Sequence, residues 1–299
     1  DGTAENKAVL VDADAKRFGD DRRTLLEPAT ATSVKKLAQT AVAEKMAPEP
    51  VAVALTERGW IAWRPAKTAE EALSLDYKIK AGDSIRRVYF GDRNDHLVLL
   101  DDSGKGYSLH LVDLPSKADT LPLTTWFEHG TRKIVEGGIA APEARYILAG
   151  QGGYGFIVKA SDWVSRMRAG KALLTLDAGE TPLPPYPLAG VSDDAQVMSL
   201  STDGRAVVFP LADLKPLPKG KGVALMGLGD GARVSDLAVI TDPLRLRTGK
   251  GIVPIKPDAW AGVVGPRSAG KKGKALHAHA ANAVFVRAGR EEWTAAAGE

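Results

Sequence analysis

Three basic, glycine-rich stretches are the residues of this sequence best suited to chemistry. Arg166-x-Arg168-Ala169-Gly170-Lys171-Ala172-Leu173, Lys219-Gly220-Lys221-Gly222-Val223-Ala224-Leu225 and Gly270-Lys271-Lys272-Gly273-Lys274-Ala275-Leu276 each lead cations and glycines into a short apolar run. Lysine and arginine neutralise phosphates and release counterions, and glycine lets backbone N–H groups approach an anion closely. One such loop is an ordinary solvated turn, whereas three at equivalent places would line one rim. Arg205, Lys250 and Arg267 are assigned to the same surface. No aromatic residue is interleaved with these cations, which disfavours stacking on single-stranded bases and favours duplex DNA held through its backbone.

Other candidate motifs read as structure. Gly150-x-Gly152-x-x-Gly155 fits a dinucleotide fingerprint, but that site needs a helix to follow the loop, and Phe156-Ile157-Val158 follows instead. No Gly-Lys-Ser/Thr occurs, so there is no P-loop. Arg145-Tyr146 has the form of a pair whose tyrosine attacks a phosphodiester. Tyr146, however, lies seven residues before Gly153, as Leu97 lies before Gly104 and Val197 before Gly204, which is an ordinary strand position. His277-x-His279 puts two imidazoles on one strand face with no third ligand nearby. Asp101-Asp102 and Asp193-Asp194 read as turn carboxylates. No metal site and no catalytic residue is expected.

The elements that must position the basic loops repeat. VAVALTERGWIAW (Val51–Trp63), LVLLDDSGKGYSL (Leu97–Leu109), YILAGQGGYGFIV (Tyr146–Val158), VMSLSTDGRAVVF (Val197–Phe209) and LRLRTGKGIVPI (Leu244–Ile255) each read as strand, tight turn, strand. Their turn glycines, Gly59, Gly104, Gly153, Gly204 and Gly249, are spaced 45, 49, 51 and 45 residues apart. Hairpin turns call for positive φ, which glycine adopts without strain. Nine residues after the glycine stand Asp113, Asp162, Asp213 and Asp258, with Thr68 in the first unit. Further apolar runs, such as Lys133–Ile139 and Val234–Ile240, bring each unit to about four strands. The fold expected is all-β, a propeller-like array of five four-stranded blades over residues 49–299. A β-sandwich with coincidental turn spacing is the alternative. Residues 1–48 read as helical remnants and linker, rich in Ala, Lys and Glu.

The chain has 299 residues, 44% hydrophobic and 26% charged, enough to bury a core. With no cysteine it has neither disulfides nor thiolate chemistry. No apolar run reaches the roughly 18 residues of a membrane span, so it is expected to be a soluble piece of a longer protein. The net charge of +3 is unevenly spread: residues 1–48 are neutral, 49–213 carry −4 and 214–299 carry +7. The last sector should lead the attraction of a polyanion.

Val51–Pro65 (VAVALTERGWIAWRP), Lys80–Ser84 (KAGDS), Gly152–Val158 (GGYGFIV), Asp162–Leu176 (DWVSRMRAGKALLTL) and Asp213–Val223 (DLKPLPKGKGV) resemble the C-terminal domain of the bacterial topoisomerase IV A subunit. Phe18-Gly19-Asp20-Asp21-Arg22-Arg23-Thr24 is similar to the end of the helical region before that domain in topoisomerase IV and gyrase A subunits. The resemblance implies a β-pinwheel, with strands exchanged between blades, that binds and bends duplex DNA for an ATP-dependent type II topoisomerase. It implies as partners the remainder of the A subunit, dimerised through its upstream region, and the B subunit of topoisomerase IV in a heterotetramer. ATP, Mg2+ and the catalytic tyrosine would lie elsewhere in that enzyme, which would be cytoplasmic and chromosome-associated.

The sequence departs from that family in its first two units. PSKADTLP between Leu114 and Leu123 keeps only Lys117 of an expected basic loop, and Ala66-Lys67-Thr68-Ala69 lacks the expected glycine. The gyrase box Gln-Arg-Arg-Gly-Gly-Lys/Arg-Gly is absent, which favours topoisomerase IV over gyrase. A gyrase A C-terminal domain without its box, and a propeller-like protein-interaction module with a basic sector, are the alternatives.

Overall fold

The computed structural model describes residues 47–115, 120–240, 244–256, 259, 273–276 and 280–286. The chain separates into Asp1–Ala47 and Pro48–Glu299, and everything below concerns the second unit. The helical segments expected before Pro48 lie outside the described residues, as do Lys117, Asp258, Arg267, Lys271, Lys272, His277 and His279.

The strands, in order, are β1 (Pro50–Thr56), β2 (Trp60–Pro65), β3 (Ile85–Asp92), β4 (His96–Asp101), β5 (Lys105–His110), β6 (Leu121–Pro122), β7 (Ile134–Ala140), β8 (Arg145–Ala149), β9 (Tyr154–Lys159) and β10 (Lys171–Ala172). They continue with β11 (Tyr186–Pro187), β12 (Gln196–Ser201), β13 (Arg205–Pro210), β14 (Val223–Ala224), β15 (Val234–Val239), β16 (Leu244–Thr248), β17 (Gly251–Ile255), β18 (Lys274–Ala275) and β19 (Val284–Phe285). The five expected hairpins are β1–β2, β4–β5, β8–β9, β12–β13 and β16–β17, all antiparallel.

In the first four hairpins the turn glycine has φ between 75 and 85°, the left-handed conformation expected there. Its N–H closes the turn onto the residue three before it, Thr56, Asp101, Gly150 or Ser201. Three of these also cap with the side chain. Thr56 Oγ1 accepts from Trp60 N, Asp101 Oδ1 from Ser103 N and Lys105 N, and Ser201 Oγ from Arg205 N. The fifth turn departs from expectation. Thr248 pairs directly with Gly251, leaving the two-residue turn Gly249-Lys250, and positive φ falls on Gly251 (115°) rather than Gly249.

The hairpins build separate sheets. Their strand orders are β3-β1-β2-β6, β7-β4-β5-β10, β11-β8-β9-β14 and β15-β12-β13-β18, followed by a three-stranded β19-β16-β17. Among the described residues the fifth sheet has three strands. In each of the first four sheets the strand beside the second hairpin strand comes from the following unit. Each sheet is therefore closed by its neighbour, which is the strand exchange the resemblance implied.

Packing explains why the first hairpin strands of the first four sheets, β1, β4, β8 and β12, are buried along nearly their whole length. Leu97 and Leu99 of β4 pack with Val51, Val53 and Leu55 of the first sheet, while Val98 and Leu100 pack with Tyr146, Leu148 and Phe156 of the third. Likewise Met198 and Leu200 of β12 join Leu244, Leu246 and Phe285 of the fifth. Both faces of these sheets are buried, so alternation disappears, as it does in any doubly covered sheet. The residue nine after the turn glycine lies in or caps one turn of helix that ends the hairpin: Leu111–Asp113, Ala160–Trp163, Leu211–Asp213, and Ala69–Ser74 capped by Thr68. Leu114, Trp163 and Leu214, one residue later, are buried at 3%, 0% and 2% exposure and anchor the point where the chain leaves its own sheet.

Candidate nucleic-acid interface

The basic loops are the crossings between sheets. After Trp163 the chain runs through Arg166–Gly170 to pair β10 with β5, and after Leu214 through Lys215–Gly222 to pair β14 with β9. The third loop ends on β18, paired with β13. Every crossing is locked by one contact: a buried leucine donates its N–H to the carbonyl of the turn glycine in the preceding unit. Leu123 bonds Gly59 at 2.9 Å, Leu173 bonds Gly104 at 3.1 Å, Leu225 bonds Gly153 at 2.7 Å and Leu276 bonds Gly204 at 3.1 Å. The turn glycines and the basic loops, recognised separately in the sequence, are therefore two halves of one joint.

This geometry corrects the reason for the loop glycines. A Cβ on Gly222 (φ +85) would stand 2.1 Å from Gly155 O, and one on Gly273 (φ +64) 2.4 Å from Ala206 O. These glycines let the crossing strand lie against its neighbour's backbone, and the packing alone requires them without any phosphate.

The structure divides the expected cations into two groups. Arg166, Lys219, Lys250 and Lys274 are exposed, and among the described residues their side chains have no hydrogen bond or ion pair. The other four that are described, Arg168, Lys171, Lys221 and Arg205, are engaged. Arg168 Nη1 and Nη2 donate to Thr125 O (3.0 Å) and Thr124 O (3.3 Å), and its Nε meets Glu128 at 3.3 Å. Lys171 Nζ donates to Asp162 O at 2.5 Å. Lys221 Nζ lies 2.6 Å from Asp177 Oδ2 and 4.4 Å from the Tyr154 ring centroid. Its ammonium is held above the usual lysine pKa, chiefly by that hydrogen bond to Asp177. Arg205 pairs with Asp203 at 3.3 Å and donates to Gly273 O at 3.2 Å. The sequence reading missed these carboxylates. Glu128 and Asp177 follow the locking leucines by five and four residues, a relation that shows only once the crossings are placed.

A groove of about 570 Å³ opens beside Arg166, lined by His96, His110, Asp113, Trp126, Met167 and Arg168 among others. The His96 and His110 rings stack with centroids 4.5 Å apart. Burial, and secondarily the neighbouring His110, lowers the His96 pKa.

The remaining motifs are structural. Tyr146 is 5% exposed, sits edge-on to Trp163, and burial pushes its hydroxyl up to about 12, so it is no accessible nucleophile. Gly150, Gly152 and Gly155 belong to the β8–β9 hairpin. Asp101 caps its own turn, and Asp193 pairs with Arg145 at 2.8 Å. Among the described residues no group of three His, Asp or Glu could hold a metal, and no helix is long and apolar enough to cross a membrane.

Residues 195–241 match the model of the DNA gyrase C-terminal domain, a beta-propeller. The A subunit of DNA topoisomerase 4 from Neisseria gonorrhoeae is 34% identical over 255 residues, 81% of this chain and 31% of that protein. The same subunit from Escherichia coli K12 is 32% identical over 280 residues, 87% of this chain and 34% of that protein. The chain thus spans about a third of the length of these relatives. The E. coli ParC C-terminal domain superposes with a TM-score of 0.69 at 26% identity, covering 80% of this chain and 97% of that domain. The DNA gyrase A C-terminal domain, at a TM-score of 0.55 and 17% identity, shares the fold over 80% of this chain and 82% of that one. Exchanged strands, locked crossings and these similarities agree: in sequence and in fold the chain is similar to the C-terminal β-propeller domains of DNA gyrase and topoisomerase IV A subunits.

Proposed function

We propose that the chain is a non-catalytic module of the topoisomerase IV A subunit that grips duplex DNA by its phosphates and bends it toward the enzyme core. The observation that carries this reading is the recurrence of a cation-bearing crossing loop at the same joint of successive sheets, with Lys219, Lys250 and Lys274 uncompensated in the sector of net charge +7. Lysine, arginine and backbone N–H groups position a duplex without reading its sequence. Strand passage, decatenation and relaxation belong to a holoenzyme in which the A subunit dimerises through its upstream region and joins the B subunit. ATP and Mg2+ would be held there, in the cytoplasm at the chromosome.

A gel-shift titration of the full chain on duplex DNA at low and physiological salt tests the proposal. Affinity should fall with a log–log slope of about −0.9 per phosphate neutralised, and unrelated duplexes of equal length should compete nearly evenly. Binding that ignores salt, or no binding at low salt, would favour a protein-interaction module. The match of residues 195–241 to the gyrase domain model favours a second reading, a gyrase-type wrapping domain. The missing box motif weighs against it, and constraint of positive supercoils on a relaxed plasmid would restore it.

A further inference from the structure

The carboxylates that sequence reading missed form a series. Glu128 comes five residues after Leu123, which locks one crossing, and pairs with Arg168 of the next crossing at 3.3 Å. Asp177 comes four residues after Leu173 and pairs with Lys221 of the crossing after that at 2.6 Å. The separations along the chain are 40 and 44 residues, close to one repeat. Asp230, five residues after Leu225 and exposed, stands at the same register in the next unit. At two successive joints an anion is thus set against the cation of the following loop.

We infer that Glu128 and Asp177 are built-in competitors for phosphate, which set the duplex affinity of the crossing loops below what their cations alone would give. The inference rests on the reading of this domain as a duplex binder. The Glu128 and Asp177 side chains are 65% and 63% exposed, so a phosphate can reach the same cations from solvent. Neither cation depends on its carboxylate for position. Arg168 keeps two carbonyl acceptors, Thr124 O and Thr125 O, and Lys221 keeps the face of Tyr154. Exposed ion pairs are worth about 0–1 kcal/mol, so DNA can displace them, but each exchange returns less than binding to a bare cation. The result is a grip that releases readily, suited to a segment that must move.

The test measures duplex affinity of the full chain by fluorescence anisotropy across a salt series, with melting temperatures taken for every variant. Glu128→Gln and Asp177→Asn should each tighten binding about two- to fivefold and steepen the salt slope by up to about 0.9. Asp193→Asn removes a still more exposed charge (82%) whose partner, Arg145, lies off the crossing loops, and should do less. In a Lys221→Gln background the gain from Asp177→Asn should vanish, because the carboxylate acts through that ammonium. Unchanged or weaker binding by well-folded Glu128→Gln and Asp177→Asn overturns the inference. So does an equal gain from Asp193→Asn, or a gain that survives Lys221→Gln. A wild-type chain that binds no duplex at low salt would sink the reading of the domain, and the inference with it.

Discussion

Gly222→Ala tests the joint on which both fold and interface depend. Any L-residue at φ +85 bears roughly 1–2 kcal/mol of backbone strain. Gly59, at φ +75 with nothing within 4 Å of its virtual Cβ, would bear that strain alone. At Gly222 the methyl would also stand 2.1 Å from Gly155 O, 2.4 Å from Gly155 C and 3.0 Å from Phe156 N, all backbone atoms that cannot step aside. Relief requires β14 to lift from β9, breaking the Val223–Gly155 and Ala224–Tyr154 pairings and the 2.7 Å bond from Leu225 N to Gly153 O. A lost hydrogen bond costs about 0.5–1.5 kcal/mol, and unseating Leu225, now 1% exposed, costs part of the 2–5 kcal/mol of a buried leucine. Gly59→Ala should therefore cost about 1–2 kcal/mol and Gly222→Ala about 3–6 kcal/mol. Urea unfolding at constant m-value reads both, and hydrogen exchange should show protection lost at residues 223–226 in Gly222→Ala alone. Equal destabilisation of the two variants would refute the steric account. It would return the loop glycines to the role of approaching phosphate.

Reversing Lys219, Lys250 and Lys274 to Glu should shrink the salt slope of duplex binding by about 2.7 if each neutralises one phosphate, and weaken every sequence alike. The same change at Arg58, Lys67 and Lys78 of the first unit should do much less. Arg87 is unsuitable as such a control, because its Nε holds the buried Glu136 at 2.8 Å. The lowered His96 pKa makes the folded state prefer neutral imidazole, so the unfolded chain binds the extra proton. The corresponding stability is present above about pH 6.5 and lost as pH falls toward the lowered value. His96→Gln should flatten that part of the denaturation midpoint against pH, and an unchanged profile would contradict the burial argument.

The repeat was legible because hairpins are local. A turn that needs positive φ selects glycine, doubly buried strands select unbroken apolar runs, and both recur at a countable spacing whatever lies around them. The same locality explains the departure at Gly249. A two-residue turn moved positive φ to Gly251, and a sequence reading Thr-Gly-Lys-Gly offers either glycine. The positions of the cations were equally plain, since lysine and arginine in a glycine-rich loop announce an exposed charge. Tertiary structure alone decided which of them are available. Arg168 and Lys221 are held by groups some forty residues away, and no local rule connects those positions until a crossing strand has been seated on the neighbouring sheet. That seating also assigned the loop glycines their purpose. Only when Leu225 reaches the carbonyl of Gly153 does the backbone of Gly155 come close enough to Gly222 to exclude a methyl group.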